Sequence, residues 1–261
     1  MGRWWPKVRR VWATLGACAL LVFLVWMGLA FRATPDARAA LQGNERVRVE
    51  RGASYWLFRP AGKMSGIGLL FFPGALVEVA AYAPLARDVA AHGHAVLIVE
   101  LPRRGGFGGA DSPEVLNRTH NAMRQSVAIR RWVVAGHSRG GVVAARMVHD
   151  DPSAFAGLVL IGTSHPRDFS LANLRMPVTR VYGTRDTVAD VEKLDATRGN
   201  LPAATRMVAI EGGNHSQFGY YGFQPGDWFA TIDRDTQQRL TRQAIVETLE
   251  VAVVNDVSGL R

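Results

Sequence analysis

Residues 132–144 read WVVAGHSRGGVVA, and no other stretch restricts the fold as tightly. An apolar run at 132–135 meets Gly136-His137-Ser138-Arg139-Gly140, and small residues at helical spacing follow. The order is strand, sharp turn, helix. A serine forced into so tight a turn presses the residues two positions to either side against its own Cβ, and only glycine fits at both. The turn lifts the Ser138 hydroxyl clear of the backbone as a candidate nucleophile. It also makes the Arg139 N–H the opening donor of a helix, where unpaired N–H groups and the helix dipole favour a developing negative charge.

The rest of the chain supplies the sheet such a turn needs. Residues 45–50 alternate strictly and 55–58 form an aromatic run, so an antiparallel pair is expected. The apolar runs at 67–72 and 95–99 read as buried central strands, and 82–92 and 113–129 as helices, with a glycine-rich loop at 102–110. Beyond the elbow come strands at 158–161, 178–182 and 207–210 and a closing helix at 237–254. About eight strands alternating with helices predict an α/β fold: a mostly parallel sheet, helices on both faces, and reactive loops at the carboxyl ends of the strands. With 261 residues, 48% apolar and 20% charged, one domain over 45–261 is expected.

Residues 11–31 carry no charge and follow MGRWWPKVRR. As a helix they would be about 31 Å long, enough to cross a bilayer core. Residues 1–32 therefore read as a basic N-terminus and a transmembrane anchor, and 33–44 as a short linker marked by Pro35 and Gly43. A cleaved signal peptide is the rival reading, but its apolar region is normally about 7 to 15 residues. The basic residues ahead of the segment favour a single pass with the N-terminus in the cytoplasm and the domain on the outer side, although Arg32, Arg38, Arg46 and Arg48 follow it.

Net charge is +9, yet the first 32 residues hold five of the 31 basic side chains and none of the 22 acidic ones, leaving +4 on the remainder. That excess is not clustered and carries no nucleic-acid motif, so nucleic-acid binding is not expected. Cys18 is the only cysteine, which excludes an intrachain disulfide and a cysteine metal site. Oligomeric state is left open.

A serine hydroxyl needs a base, and the base needs a carboxylate to fix its tautomer. In a sheet of this kind both follow later strands, in the order serine, acid, histidine. Asp186 comes one short turn after the strand at 178–182, with Asp190 and Asp168 as weaker candidates. His215 comes just after the strand at 207–210 and is the last of seven histidines. A second oxyanion donor is expected from the turn after 67–72, where Gly74 permits close approach and the Ala75 N–H can point inward. His137, Arg103, Phe218 and Tyr220 are candidates to line a substrate, and Arg103, Arg104 and Arg139 would put positive charge near the mouth, suiting a small or acidic substrate, with a solvated charged surface as the more ordinary reading. Only about 16 residues separate the strands at 158–161 and 178–182, too few for an ordinary helical cap.

Together, Gly136 to Gly140, Gly183 to Asp186 and Gly212 to His215 resemble the α/β-hydrolase superfamily, over residues 45–254. Pro73-Gly74 with Val77-Glu78, residues 82–86 and residues 211–222 resemble, more narrowly, a group of small capless bacterial hydrolases of that fold. The resemblance implies a serine hydrolase acting on a small-molecule ester without metal or cofactor, with Ser138, Asp186 and His215 as its triad. Arg139 departs from the apolar residue common at its position, and Ala75 from a second glycine. Hydrolysis of amides, thioesters or lipids by the same triad, and a non-catalytic binding protein on the same fold, are the alternatives.

Overall fold

A computed structural model of the chain describes residues 4–126 and 128–259. The first three residues, Val127 within the expected 113–129 helix, and the last two residues lie outside the described ones. The first helix, α1, spans Trp5–Ala30 and is long and apolar enough to cross a membrane; only its last turn is buried against the rest of the chain. Strands β1 (Val47–Arg51) and β2 (Tyr55–Pro60) form the expected antiparallel hairpin, and β2 pairs antiparallel with β4 (Val96–Val99). From there the sheet is parallel through β3 (Ile67–Phe72), β5 (Arg131–His137), β6 (Phe155–Ile161), β7 (Val178–Gly183) and β8 (Arg206–Ile210). The spatial order is β1-β2-β4-β3-β5-β6-β7-β8.

That order sets the position of the site. From β3 the chain steps to β4 on one side, then crosses back over β3 to reach β5. The carboxyl ends of β3 and β5 therefore flank the point where the direction of winding reverses, and the loops leaving them open a crevice. Period-two alternation divides the core. Ile67, Leu69, Phe71, Val133 and Ala135 face one side, against α3 (Ala83–Ala91) and α7 (Arg234–Ser258). Leu70, Phe72, Trp132 and Val134 face the other, against α4 (Glu114–Gln125) and α5 (Arg139–Asp150).

Two segments differ from their sequence reading. Residues 33–44 are not a free spacer: Thr34 caps the short helix α2 (Pro35–Ala39), and Ala33, Ala37 and Ala40 are buried in the core. Pro35 reads as a breaker but stands in the first turn of this helix, where its missing N–H costs nothing. Helix α4 ends at Gln125, short of the expected bound: Ser126 leaves the helical region at φ −104° and ψ 46°, and Ile129 packs into the core where the chain enters β5. A further short helix, α6 (Val191–Ala196), follows β7. No helix lies between β6 and β7, in line with the expected absence of a cap.

Candidate active site

Ser138 leaves β5 with φ 53° and ψ −119°, a backbone conformation that an L-residue holds only under constraint. The constraint comes from both flanks. A Cβ at Gly136 would lie 2.2 Å from the carbonyl of Gly140, and one at Gly140 would lie 2.0 Å from the Phe72 oxygen. Arg139 opens α5, so its N–H has no intrahelical acceptor. Ala75 stands in the turn after β3, and no described residue accepts its N–H. That turn is pinned on both sides of Ala75: Gly74 donates to Tyr82 Oη at 3.0 Å, and the Leu76 N–H donates to the Arg104 carbonyl at 2.7 Å.

His215 and Asp186 meet although 29 residues separate them. His215 Nδ1 lies 2.8 Å from Asp186 Oδ2, while Asp186 Oδ1 accepts the N–H groups of Val188 and Ala189 at 2.9 and 2.7 Å. An ionised carboxylate only accepts, so the proton sits on Nδ1 and Nε2 is left as the basic nitrogen. His215 Nε2 is buried without a partner among the described residues, and the ring stands 4.6 Å from that of His137, the residue preceding Ser138. Asp190 caps α6 and pairs with Lys193, and Asp168 is exposed, so neither competes for His215.

Side chains that the sequence did not single out hold this histidine. Asp227 accepts the His215 N–H at 3.2 Å and both the N–H and the hydroxyl of Ser216, at 2.8 and 2.7 Å. Gln237, at the start of α7, clamps Asn214 from both ends, accepting its N–H at 3.0 Å and donating to its carbonyl at 2.7 Å. Both are buried. Neither carries a spacing signal, because each acts on a neighbour's backbone.

Of the side chains expected to line a substrate, His137 and Phe218 are fully buried and pack ring on ring at 5.5 Å. They support the elbow from below and present no surface to a ligand. Tyr220 donates its hydroxyl to Asp235 and packs toward the start of α7. Arg103 is exposed in the loop after β4, and Arg139 pairs with Asp111 rather than standing free. Asp111 also pairs with Arg146 at 3.3 Å, beside an apolar cavity of about 260 Å³ lined by Ala110, Val115, Val142, Val143 and Met147 along α5.

The sequence of residues 68–239 matches the alpha/beta hydrolase family. The chain belongs to that family. Solved structures of low identity share the fold of this alpha/beta hydrolase. An alpha-beta serine hydrolase homologue from Coxiella burnetii is 16% identical, with 80% of this chain and 98% of that one covered and a TM-score of 0.53. The esterase domain of a Rhodothermus marinus protein is 11% identical, covering 77% and 96%, with a TM-score of 0.56. A membrane phospholipase A, a bacterial virulence factor, is 14% identical, covering 96% and 99%, with a TM-score of 0.54. No curated protein sequence matches the chain.

Tyr82 joins the two halves of the site. Its oxygen accepts the Gly74 N–H and lies 2.8 Å from His137 Nδ1, so the phenol donates there and His137 carries its own proton on Nε2. Burial first, and repulsion by His215 second, hold the His137 pKa well below 6.5, which keeps the ring neutral. Tyr82→Phe leaves a buried amide and a buried ring nitrogen unpaired. It is expected to lower stability by about 1–3 kcal/mol, read by urea denaturation, and to slow turnover by loosening the turn that carries Ala75.

Proposed function

We propose that this alpha/beta hydrolase is a membrane-anchored serine hydrolase of carboxylic esters. His215 Nε2 takes the proton from Ser138, Asp186 orients the ring and stabilises its charged form, and the N–H groups of Ala75 and Arg139 receive the tetrahedral oxyanion. The imidazolium gives that proton to the departing alcohol as its bond to the carbonyl carbon breaks, and water, deprotonated by His215, then releases the acyl group from Ser138. The observation that carries this reading is the 2.8 Å Asp186–His215 bond, which leaves Nε2 buried and unpaired among the described residues, on a ring packed 4.6 Å from that of His137, the residue before the strained Ser138. The pairing of Arg139 by Asp111 favours a neutral acyl group over an acidic one.

Hydrolysis of lipid esters with the same triad is the second reading, favoured by the likeness to a membrane phospholipase A. That likeness covers more of the chain than residues 33–261 alone supply, so it reaches into α1. The anchor is α1, with the domain on the outer side of the membrane. The full chain in its membrane is expected to take a fluorophosphonate label and to cleave p-nitrophenyl esters, and to stay in the pellet after a carbonate wash. A folded chain that takes no label leaves the binding-protein reading ahead, and release by carbonate alone removes the anchor.

A further inference from the structure

The residues that end α1 and follow it are bonded to both walls of the crevice. The Ala30 carbonyl accepts the Gly222 N–H at 2.8 Å, and the Thr34 N–H donates to the Tyr220 carbonyl at 2.9 Å, both in the loop that follows His215. The approach is close enough that a Cβ at Gly222 would lie 2.9 Å from the Ala30 oxygen. The Phe31 carbonyl accepts the Glu78 N–H at 2.9 Å, at the end of the turn that carries Ala75. The Phe31 and Tyr221 rings stack at 6.2 Å. The helix end is therefore fixed to the mouth of the site rather than to its far side.

From this junction an aromatic ridge runs outward. Phe223, next to Gly222, stacks on Phe229 at 4.8 Å, and Phe229 meets Trp228 at 6.3 Å. Trp228 is 55% exposed and Phe229 67%. The opposite wall ends in Phe107, 84% exposed at φ 48°, on the loop that Arg104 ties to Leu76. Beyond α1 and the Trp4 that precedes it, these are the only exposed large aromatic side chains among the described residues, and all lie on loops leaving carboxyl ends of strands. Clustered exposed aromatic surface next to a membrane-crossing helix suits the headgroup layer of a bilayer.

We propose that Trp228, Phe229 and Phe107 form a collar that seats the mouth of the active site on the lipid bilayer α1 spans, so that the acyl ester reaches Ser138 from the membrane surface. This rests on the hydrolase reading and on α1 as a spanning helix. The occupant is the bilayer because the ridge is continuous with the end of the membrane-crossing segment. The exposed Val251, Val254 and Val257 stand at the other end of α7, beside the entry to β5, and stay in water.

The test uses the full chain with Cys18→Ser, which removes its only cysteine, reconstituted in phosphatidylcholine/phosphatidylglycerol vesicles. Single cysteines from Phe107→Cys, Trp228→Cys or Val254→Cys carry a polarity-sensitive dye, and the vesicles carry a lipid-borne quencher. Dyes at 107 and 228 are expected to shift to the blue and be quenched, while the dye at 254 is not. Equal, water-like emission at all three positions in carbonate-resistant vesicles overturns the collar while leaving the anchor standing. A chain that carbonate strips from the vesicles overturns both. As a second readout, W228S/F229S is expected to lower the ratio of vesicle-phospholipid to soluble-ester turnover at least tenfold. An unchanged ratio counts against the collar, whereas loss of all ester turnover in the wild-type chain sinks the hydrolase reading and leaves the dye result to decide the surface.

Discussion

Ser138→Ala is expected to abolish fluorophosphonate labelling and to cut ester turnover by roughly 10⁴- to 10⁶-fold, as removing the nucleophile of an acyl-transfer triad does. It leaves the fold intact, since Ser138 is half-exposed and its backbone is held by Gly136 and Gly140 rather than by its own side chain. Ser138→Gly separates activity from stability. At φ 53° an L-residue stores about 1–3 kcal/mol that glycine releases, while the freer unfolded chain takes back about 0.5–1 kcal/mol. The glycine variant is expected to be equally inactive and more stable than wild type by up to about 2.5 kcal/mol, measured by chemical denaturation. A glycine variant less stable than the serine parent contradicts the strain, and full labelling of Ser138→Ala moves the nucleophile elsewhere.

The elbow is legible in the sequence because its requirement is local. A tight turn excludes any Cβ at 136 and 140, and three residues at alternate positions are enough to state that. Asp186 and His215 are legible for a different reason. Each is a polar residue one turn beyond an apolar run, and the parallel order of the strands brings both to the same edge as Ser138. The resemblance to the alpha/beta hydrolases points to the same three residues.

What stayed hidden is what fixes these groups in place. Asp227 and Gln237 act on the amides of His215, Ser216 and Asn214, and a side chain that satisfies someone else's backbone leaves no periodic mark. Asp111, 28 residues from Arg139, neutralises a charge that a linear reading sets free at the mouth. Phe218 and His137 look like pocket walls by position, yet face inward once the loop after β8 folds across β5. Residues 33–44 looked like a spacer because alanine at 33, 37 and 40 is compositionally neutral; the burial that welds α1 to the site is set by backbone bonds to Tyr220, Gly222 and Glu78.

Asp186→Asn tests the tautomer argument with an almost isosteric change. Asp186 Oδ1 already receives two N–H groups, from Val188 and Ala189, and only an oxygen can accept them. The new amide therefore keeps its oxygen on that side and must turn its NH₂ toward His215 Nδ1. A donor there forces Nδ1 to accept, moves the ring proton to Nε2, and points an N–H at the Ser138 hydroxyl where a lone pair is required. The expected result is a loss of about 10⁴-fold in kcat near neutral pH, with KM changed little because no substrate contact is removed. Fluorophosphonate labelling slows in parallel, and the Tm stays within a few degrees of wild type, since all three hydrogen bonds keep a partner of the right shape. A D186N chain that retains wild-type kcat shows that Asp186 does not set the state of His215. A chain that unfolds shows instead that the carboxylate's charge, beyond its shape, holds the turn after β7.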